Sequence, residues 1–151
     1  MKVRIRLIVL LVFIFGGVLY PAPLDASAKS SPIIFTLGSP SIVLEQPDRL
    51  LVTVQLNNTD HRRDAFKVRI NSIRLTGATL LTPLPIRIDR ISAGQSVTIQ
   101  AQFTGIQLTQ GQQYQLVLSG SYHPQIIAAS QVQKLTVSTV IELPSAEAPP
   151  A

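Results

Sequence analysis

The chain contains no cysteine. That absence excludes a disulfide framework, a thiolate metal site and a lipid-modified anchor cysteine, so whatever core it forms must hold it together alone. Catalytic signatures are missing too. There is no G-x-S-x-G elbow, no H-E-x-x-H pair, no phosphate-cradling glycine loop and no pair of carboxylates on one predicted strand. An enzyme is not expected from these residues, and no cofactor is implied. Acids are few, eight against thirteen Lys and Arg. Asp60, Asp64 and Asp89 lie near turns or loops, where they most simply keep the surface soluble. Long apolar runs are also wanting: the longest, Leu7 to Tyr20, is fourteen residues, short of the roughly 20 that a membrane span needs.

What is present begins with that run. Lys2, Arg4 and Arg6 precede it, and Pro21, Pro23 and Ala26-Ser27-Ala28 follow. A basic start, a short apolar run and an A-x-A site describe a secretory signal peptide over 1–28. Cleavage after Ala28 is expected, with an uncleaved N-terminal anchor as the other reading. The mature chain, Lys29 to Ala151, is 123 residues and suits one domain. Loss of Lys2, Arg4, Arg6 and Asp25 with the leader takes the net charge from +5 to +3. So mild a basicity does not point to nucleic acid. Export without cysteine fits a bacterial protein better than an animal ectodomain, and the expected location is secreted or extracytoplasmic: periplasm or cell surface.

Period-2 alternation runs through the rest. Ile33 to Leu37 reads as a first strand, broken by Gly38 and Pro40 and resumed over Ser41 to Leu44. Leu50, Val52, Val54 and Leu56 face one way from the next strand. Phe66, Val68 and Ile70 alternate with Lys67, Arg69 and Asn71. The phase then slips at Asn71-Ser72, because Ile73 and Leu75 are odd-numbered, and a β-bulge would absorb the extra residue. Thr76 to Pro85 reads as a connection with an irregular edge piece, and Ile86 to Ile88 as a short strand. Val97, Ile99, Ala101 and Phe103 mark the clearest strand, and Tyr114, Leu116, Leu118 and Tyr122 the next. There Gly120 falls on the apolar side, where a missing side chain lets a neighbour approach closely. Leu135 to Ile141 is the last strand, and 144–151 is a Pro/Ala tail expected to be disordered. About seven strands with no convincing helix predict an all-β fold, a single sandwich over 29–143.

Leu108, Gly111 and Tyr114 spell L-x-x-G-x-x-Y, which resembles the tyrosine corner of immunoglobulin-like and fibronectin-type sandwiches. There the ring packs inside while the hydroxyl bonds backbone at the preceding turn. The stretches LLVTVQLNNTD, IDRISAGQSVTIQAQF and GQQYQLVLSGSY widen the likeness. Asn58-Thr59-Asp60 closes the second strand, and Ile88, Ile91, Gly94 and Ser96 lead into the fifth. Together they resemble bacterial exported immunoglobulin-like modules of the CARDB and fibronectin type III kind. That resemblance implies an immunoglobulin-like sandwich that is secreted or surface-borne, and that binds or spaces other molecules rather than catalysing.

Three sets of residues are candidates for function. Asp60, His61, Asp64 and His123 would come from two loops at one end of such a sandwich, and two imidazoles with two carboxylates suit a zinc- or copper-like ion. Set against that, Arg62 and Arg63 lie between the acids, and both histidines would serve equally as plain loop residues. Lys67, Arg69 and Arg87, with Arg74 and Arg90 nearby, would offer an anionic partner a cationic surface, or simply guard a strand edge. Gln100, Gln102, Gln113 and Gln115 belong to outward faces rich in Gln, Thr and Ser and poor in charge. Such faces can hydrogen-bond a flat partner: a polysaccharide, another protein's sheet or a second copy of the chain. Tyr114 and Tyr122 share a side with Leu116 and Leu118, so they are read as core and not as stacking platforms. Asn57-Asn58-Thr59 matches a glycosylation sequon, but Asn58-Thr59 is read as turn chemistry at a strand end.

The function expected is a non-enzymatic interaction or structural module of the bacterial cell surface or extracellular matrix, with an unknown protein or a surface polysaccharide as partner and no membrane span after cleavage. The alternative is a small-ligand or metal-binding module using the loops at one end.

Overall fold

The computed structural model describes residues 31–105, 109, 111–125 and 131–143. The leader over 1–28, Leu108 of the corner motif and the tail over 144–151 lie outside them. Nine strands follow in chain order: β1 (Phe35–Leu37), β2 (Ser41–Gln46), β3 (Arg49–Asn58), β4 (Ala65–Leu75), β5 (Thr79–Leu80), β6 (Ile86–Ile91), β7 (Ser96–Thr104), β8 (Gln113–His123) and β9 (Gln133–Glu142). The expected strands account for them once the first is divided at Gly38-Ser39-Pro40 and the two-residue piece β5 is added. Among the described residues no helix is long and apolar enough to cross a membrane.

The strands form two antiparallel sheets packed face to face, an all-β sandwich. One has the order β1-β3-β7-β5, with β2 also pairing β3; the other is four-stranded, β6-β4-β8-β9. Alternation explains the core. Leu50, Val52, Val54 and Leu56 of β3 and Ile99, Ala101 and Phe103 of β7 are buried. They join Val68, Ile70, Ile73 and Leu75 of β4, Leu116, Leu118 and Tyr122 of β8, and Leu135 and Ile141 of β9 in one apolar cluster. Each such side chain contributes roughly 1.5–3 kcal/mol when fully buried.

Strand β4 departs twice from regular pairing with β8. Ile70 pairs Gly120 and Ser72 pairs Ser119, leaving Asn71 as the extra residue. The phase slip in the sequence is thus a bulge. The second departure was not visible in the alternation: Phe66 pairs His123 and Arg69 pairs Ser121, so Lys67 and Val68 together face Tyr122. Phe66 therefore does not share a side with Val68 and Ile70. Val68 is fully buried, whereas Phe66 is only half-buried and the Arg90 guanidinium lies over its ring, 5.7 Å from the centroid.

Gly120 packs where the sequence placed it, on the inward side. A Cβ there would run into the Arg69 carbonyl oxygen, with the carbonyl carbon at 2.9 Å and Ile70 Cα at 3.1 Å. This close approach, at Arg69 and Ile70, falls between the two bulges of β4.

Two tyrosines fasten the ends of the sandwich. Tyr114 is buried, and its hydroxyl accepts from the Thr109 N–H at 3.0 Å, the bond that the corner motif requires. Tyr122 is fully buried and meets Phe35 edge to face, with centroids 5.0 Å apart. Its hydroxyl accepts from the Ile33 N–H at 2.7 Å and donates to Gln133 Oε1 at 2.5 Å. It thereby ties the lead-in to β1 onto the four-stranded sheet.

Candidate functional site

The loop end is held by acids already in use. Asp60 Oδ1 accepts from the N–H groups of Arg62 and Arg63 at 2.9 and 3.1 Å, and Oδ2 pairs with the Arg63 guanidinium at 2.6 Å. The Arg62 amide first, and then the bonds from Arg63, hold the Asp60 carboxyl below its ordinary pKa. Asp64 Oδ1 accepts from the Ala93 N–H at 2.8 Å, and Oδ2 pairs with Arg90 at 2.5 Å. Asn58, 1% exposed, closes the assembly. Its Nδ2 donates to the carbonyls of Arg63 and Ile91, and its Oδ1 accepts from the Asp60 N–H. The turn reading of Asn58 holds, and the residue also joins the β3–β4 loop to the end of β6.

These bonds bear on the proposed metal ligands. His61 is exposed near Gly94, while His123 ends β8 opposite Phe66. Asp60 and Asp64 each turn to a different arginine. Among the described residues, no group of three or more His, Asp or Glu is placed so as to hold a metal ion. Of the two arginines between the acids, Arg63 folds its side chain back onto Asp60 instead of pointing away.

The glutamines divide between the two sheets. Gln100 and Gln102 lie on β7, where they pair Thr53 and Leu51 of β3. Gln113 and Gln115 lie on β8, where they pair Glu142 and Val140 of β9. Strands β7 and β8 belong to opposite layers, so the two pairs face opposite ways. Gln102 donates to Glu45 Oε2 at 3.0 Å beside an open hollow of about 340 Å³ lined by Glu45, Leu51, Thr82, Gln100 and Gln102.

The cations gather on one face. Arg87 of β6 pairs Arg69 of β4, Arg69 pairs Ser121 of β8, and Ser121 pairs Lys134 of β9. At ordinary strand spacing this row crosses the sheet in about 14 Å. Lys67 and Arg74, both exposed, flank it on β4. Beside the row, Ser72, Ser119 and Thr136 form a second line of small hydroxyls. Strands β4 and β8 carry no acid at all; Asp89 on β6, opposite Lys67, and Glu142 at the end of β9 are the acids of this sheet. Neither ion pair among the described residues involves Lys67, Arg69, Arg74, Arg87 or Lys134. Lys134 was missed in the sequence because strand pairing, not spacing, brings it into line with Arg69.

No protein-family model, curated protein or solved structure matches the chain.

Proposed function

We propose that this chain is an exported, non-enzymatic interaction module of the bacterial cell surface or extracellular matrix, of the immunoglobulin-like kind that CARDB and fibronectin-type domains represent. Its working surface is the outer face of the four-stranded sheet. The observation that carries the reading is the row Arg87, Arg69, Ser121 and Lys134, set among neutral hydroxyls and amides. Like charges directly opposite on neighbouring strands are destabilising, and Arg69 and Arg87 are such a pair. A partner that neutralises them offsets the cost. Support for export comes from the basic, apolar and A-x-A segments of 1–28, and support for the family kind from the Tyr114 hydroxyl bond to the Thr109 amide.

The test is retention of the exported chain on the insoluble envelope and matrix fraction of the bacterium that makes it. Thr136→Trp, a bulky change at an exposed position on this face, is expected to release the chain. Gln100→Trp on the other sheet is expected to leave it bound. The reverse outcome would place the working surface on the opposite layer.

A further inference from the structure

We infer that the outer face of the four-stranded sheet binds a linear acidic polysaccharide, laid across the strands along Arg87, Arg69, Ser121 and Lys134. This rests on the reading of that face as the working surface and names the class of partner it takes.

Charge is the first reason. The row runs perpendicular to the strands, so its cations recur at multiples of the strand spacing. A chain carrying a carboxylate on successive sugars presents anions along a line, as the face presents cations. Ser121 within the row, and Ser119 and Thr136 beside it, supply small hydroxyls that can bond to sugar hydroxyls between the charges.

Backbone conformation is the second, independent reason. Lys67 sits at φ 47°, in the left-handed region that suits glycine and strains a lysine. In an unbroken strand Phe66 and Val68 would share the outward side, and Lys67 and Arg69 the inward one. The bulge reverses that order from Val68 onward: Val68 is buried, while Lys67 and Arg69 are both exposed. Bulges commonly re-aim side chains beside functional sites, and strained residues concentrate where ligands are held. Glycine would hold this backbone without strain. What lysine adds at position 67 is a cation next to Arg69.

A polysaccharide fits better than a phospholipid surface, the other large polyanion outside a bacterial cytoplasm. The row is interleaved with polar side chains, Phe66 of β4 is covered by Arg90 rather than free to enter a bilayer, and the exposed Val140 of β9 stands six residues along its strand from Lys134, away from the row. Membrane-surface binding usually joins cations to an exposed apolar anchor.

The experiment measures binding of the exported chain to three probes: alginate, neutral dextran, and phosphatidylglycerol/phosphatidylcholine vesicles. Alginate should bind and dextran should not, and the affinity should fall severalfold as salt is raised through the physiological range. Arg69→Gln with Arg87→Gln should weaken alginate binding at least about tenfold. Lys67→Gly should weaken it about fivefold while melting at the same temperature or higher, a gain in stability paired with a loss of binding that a purely structural lysine would not give. A lower melting temperature for Lys67→Gly would overturn the assignment of that bulge. Binding to the vesicles in preference to alginate would overturn the polysaccharide in favour of a membrane. Failure to bind alginate, with Thr136→Trp still releasing the chain from the envelope fraction, would end the inference and leave the face standing. If Thr136→Trp releases nothing, the face itself falls, and the polysaccharide with it.

Discussion

At Gly120 the neighbouring strand passes so close that no side chain fits. The obstacle is the Arg69 carbonyl, backbone that is fixed by pairing on both sides. Gly120→Ala is expected to cost about 3 kcal/mol, at the upper end for overpacking, because backbone cannot swing aside as a flexible side chain would; urea denaturation measures it. The tyrosines give a graded pair. Tyr114→Phe removes one accepted hydrogen bond and should cost about 1–2 kcal/mol. Tyr122→Phe removes the hydroxyl that accepts from the Ile33 amide and donates to Gln133 Oε1, two bonds where Tyr114→Phe removes one, so its cost should be larger. It should also change the pH profile. Burial raises the Tyr122 phenol above its ordinary pKa, so the folded state keeps a proton that the unfolded chain gives up first. The resulting stability is present in full below about pH 10 and declines as pH rises toward the folded value. Melting curves across alkaline pH should fall less steeply for Tyr122→Phe than for the wild-type chain. An unchanged slope would show that the hydroxyl is not held as described.

Within β4, two bulges decide which side chains meet the core and which meet solvent. Asn71 is the extra residue of the second bulge, and a one-residue shift sends every following side chain to the other face. Deletion of Asn71 alone would leave Ile70, Ile73 and Leu75 alternating inward without a bulge and should keep the cooperative unfolding transition seen by circular dichroism, whereas deletion of Asn71 with Ser72 would turn Arg74 inward and Ile73 and Leu75 outward and should abolish it. Deletion of Ser39, between the two pieces of the split first strand, should keep it. The Asn71 bulge was legible because buried positions change from even to odd between Ile70 and Ile73. The bulge at Lys67 was not, since Phe66, Val68 and Ile70 are evenly spaced and look like one inward face. Only the pairing with β8 shows that Phe66 lies outside. The strands themselves were readable from alternation, and Tyr114 and Gly120 from their places on it. Sheet membership was not: nothing in the spacing of Gln100, Gln102, Gln113 and Gln115 says that β7 and β8 lie in opposite layers. The acids of the loop end were legible by residue type but not by partner. Asp60 and Asp64 suit a metal by residue type, but Arg63 and Arg90 reach them first.

Across the whole molecule the two outer faces differ in charge. Strand β7 carries none, β3 only Arg49 and β2 only Glu45; the four-stranded sheet presents Lys67, Arg69, Arg74, Arg87, Arg90 and Lys134 against Asp89 and Glu142. Exposed ion pairs contribute little to stability, so neutralising this face should barely move the melting temperature. Arg69→Gln with Arg87→Gln is expected to melt at or slightly above the wild-type value, since it removes a like-charge pair from adjacent strands. A marked loss of stability would mean that the arginines serve the fold. The proposed working surface is tested most directly by mapping backbone amide shifts of the chain over 29–151 as it is titrated with bacterial envelope polysaccharide. Shifts confined to Lys67, Arg69, Arg87, Ser121, Thr136 and Lys134 are the predicted result. Shifts centred instead on Gln100 and Gln102, or on His61 and the loop around it, would contradict the account.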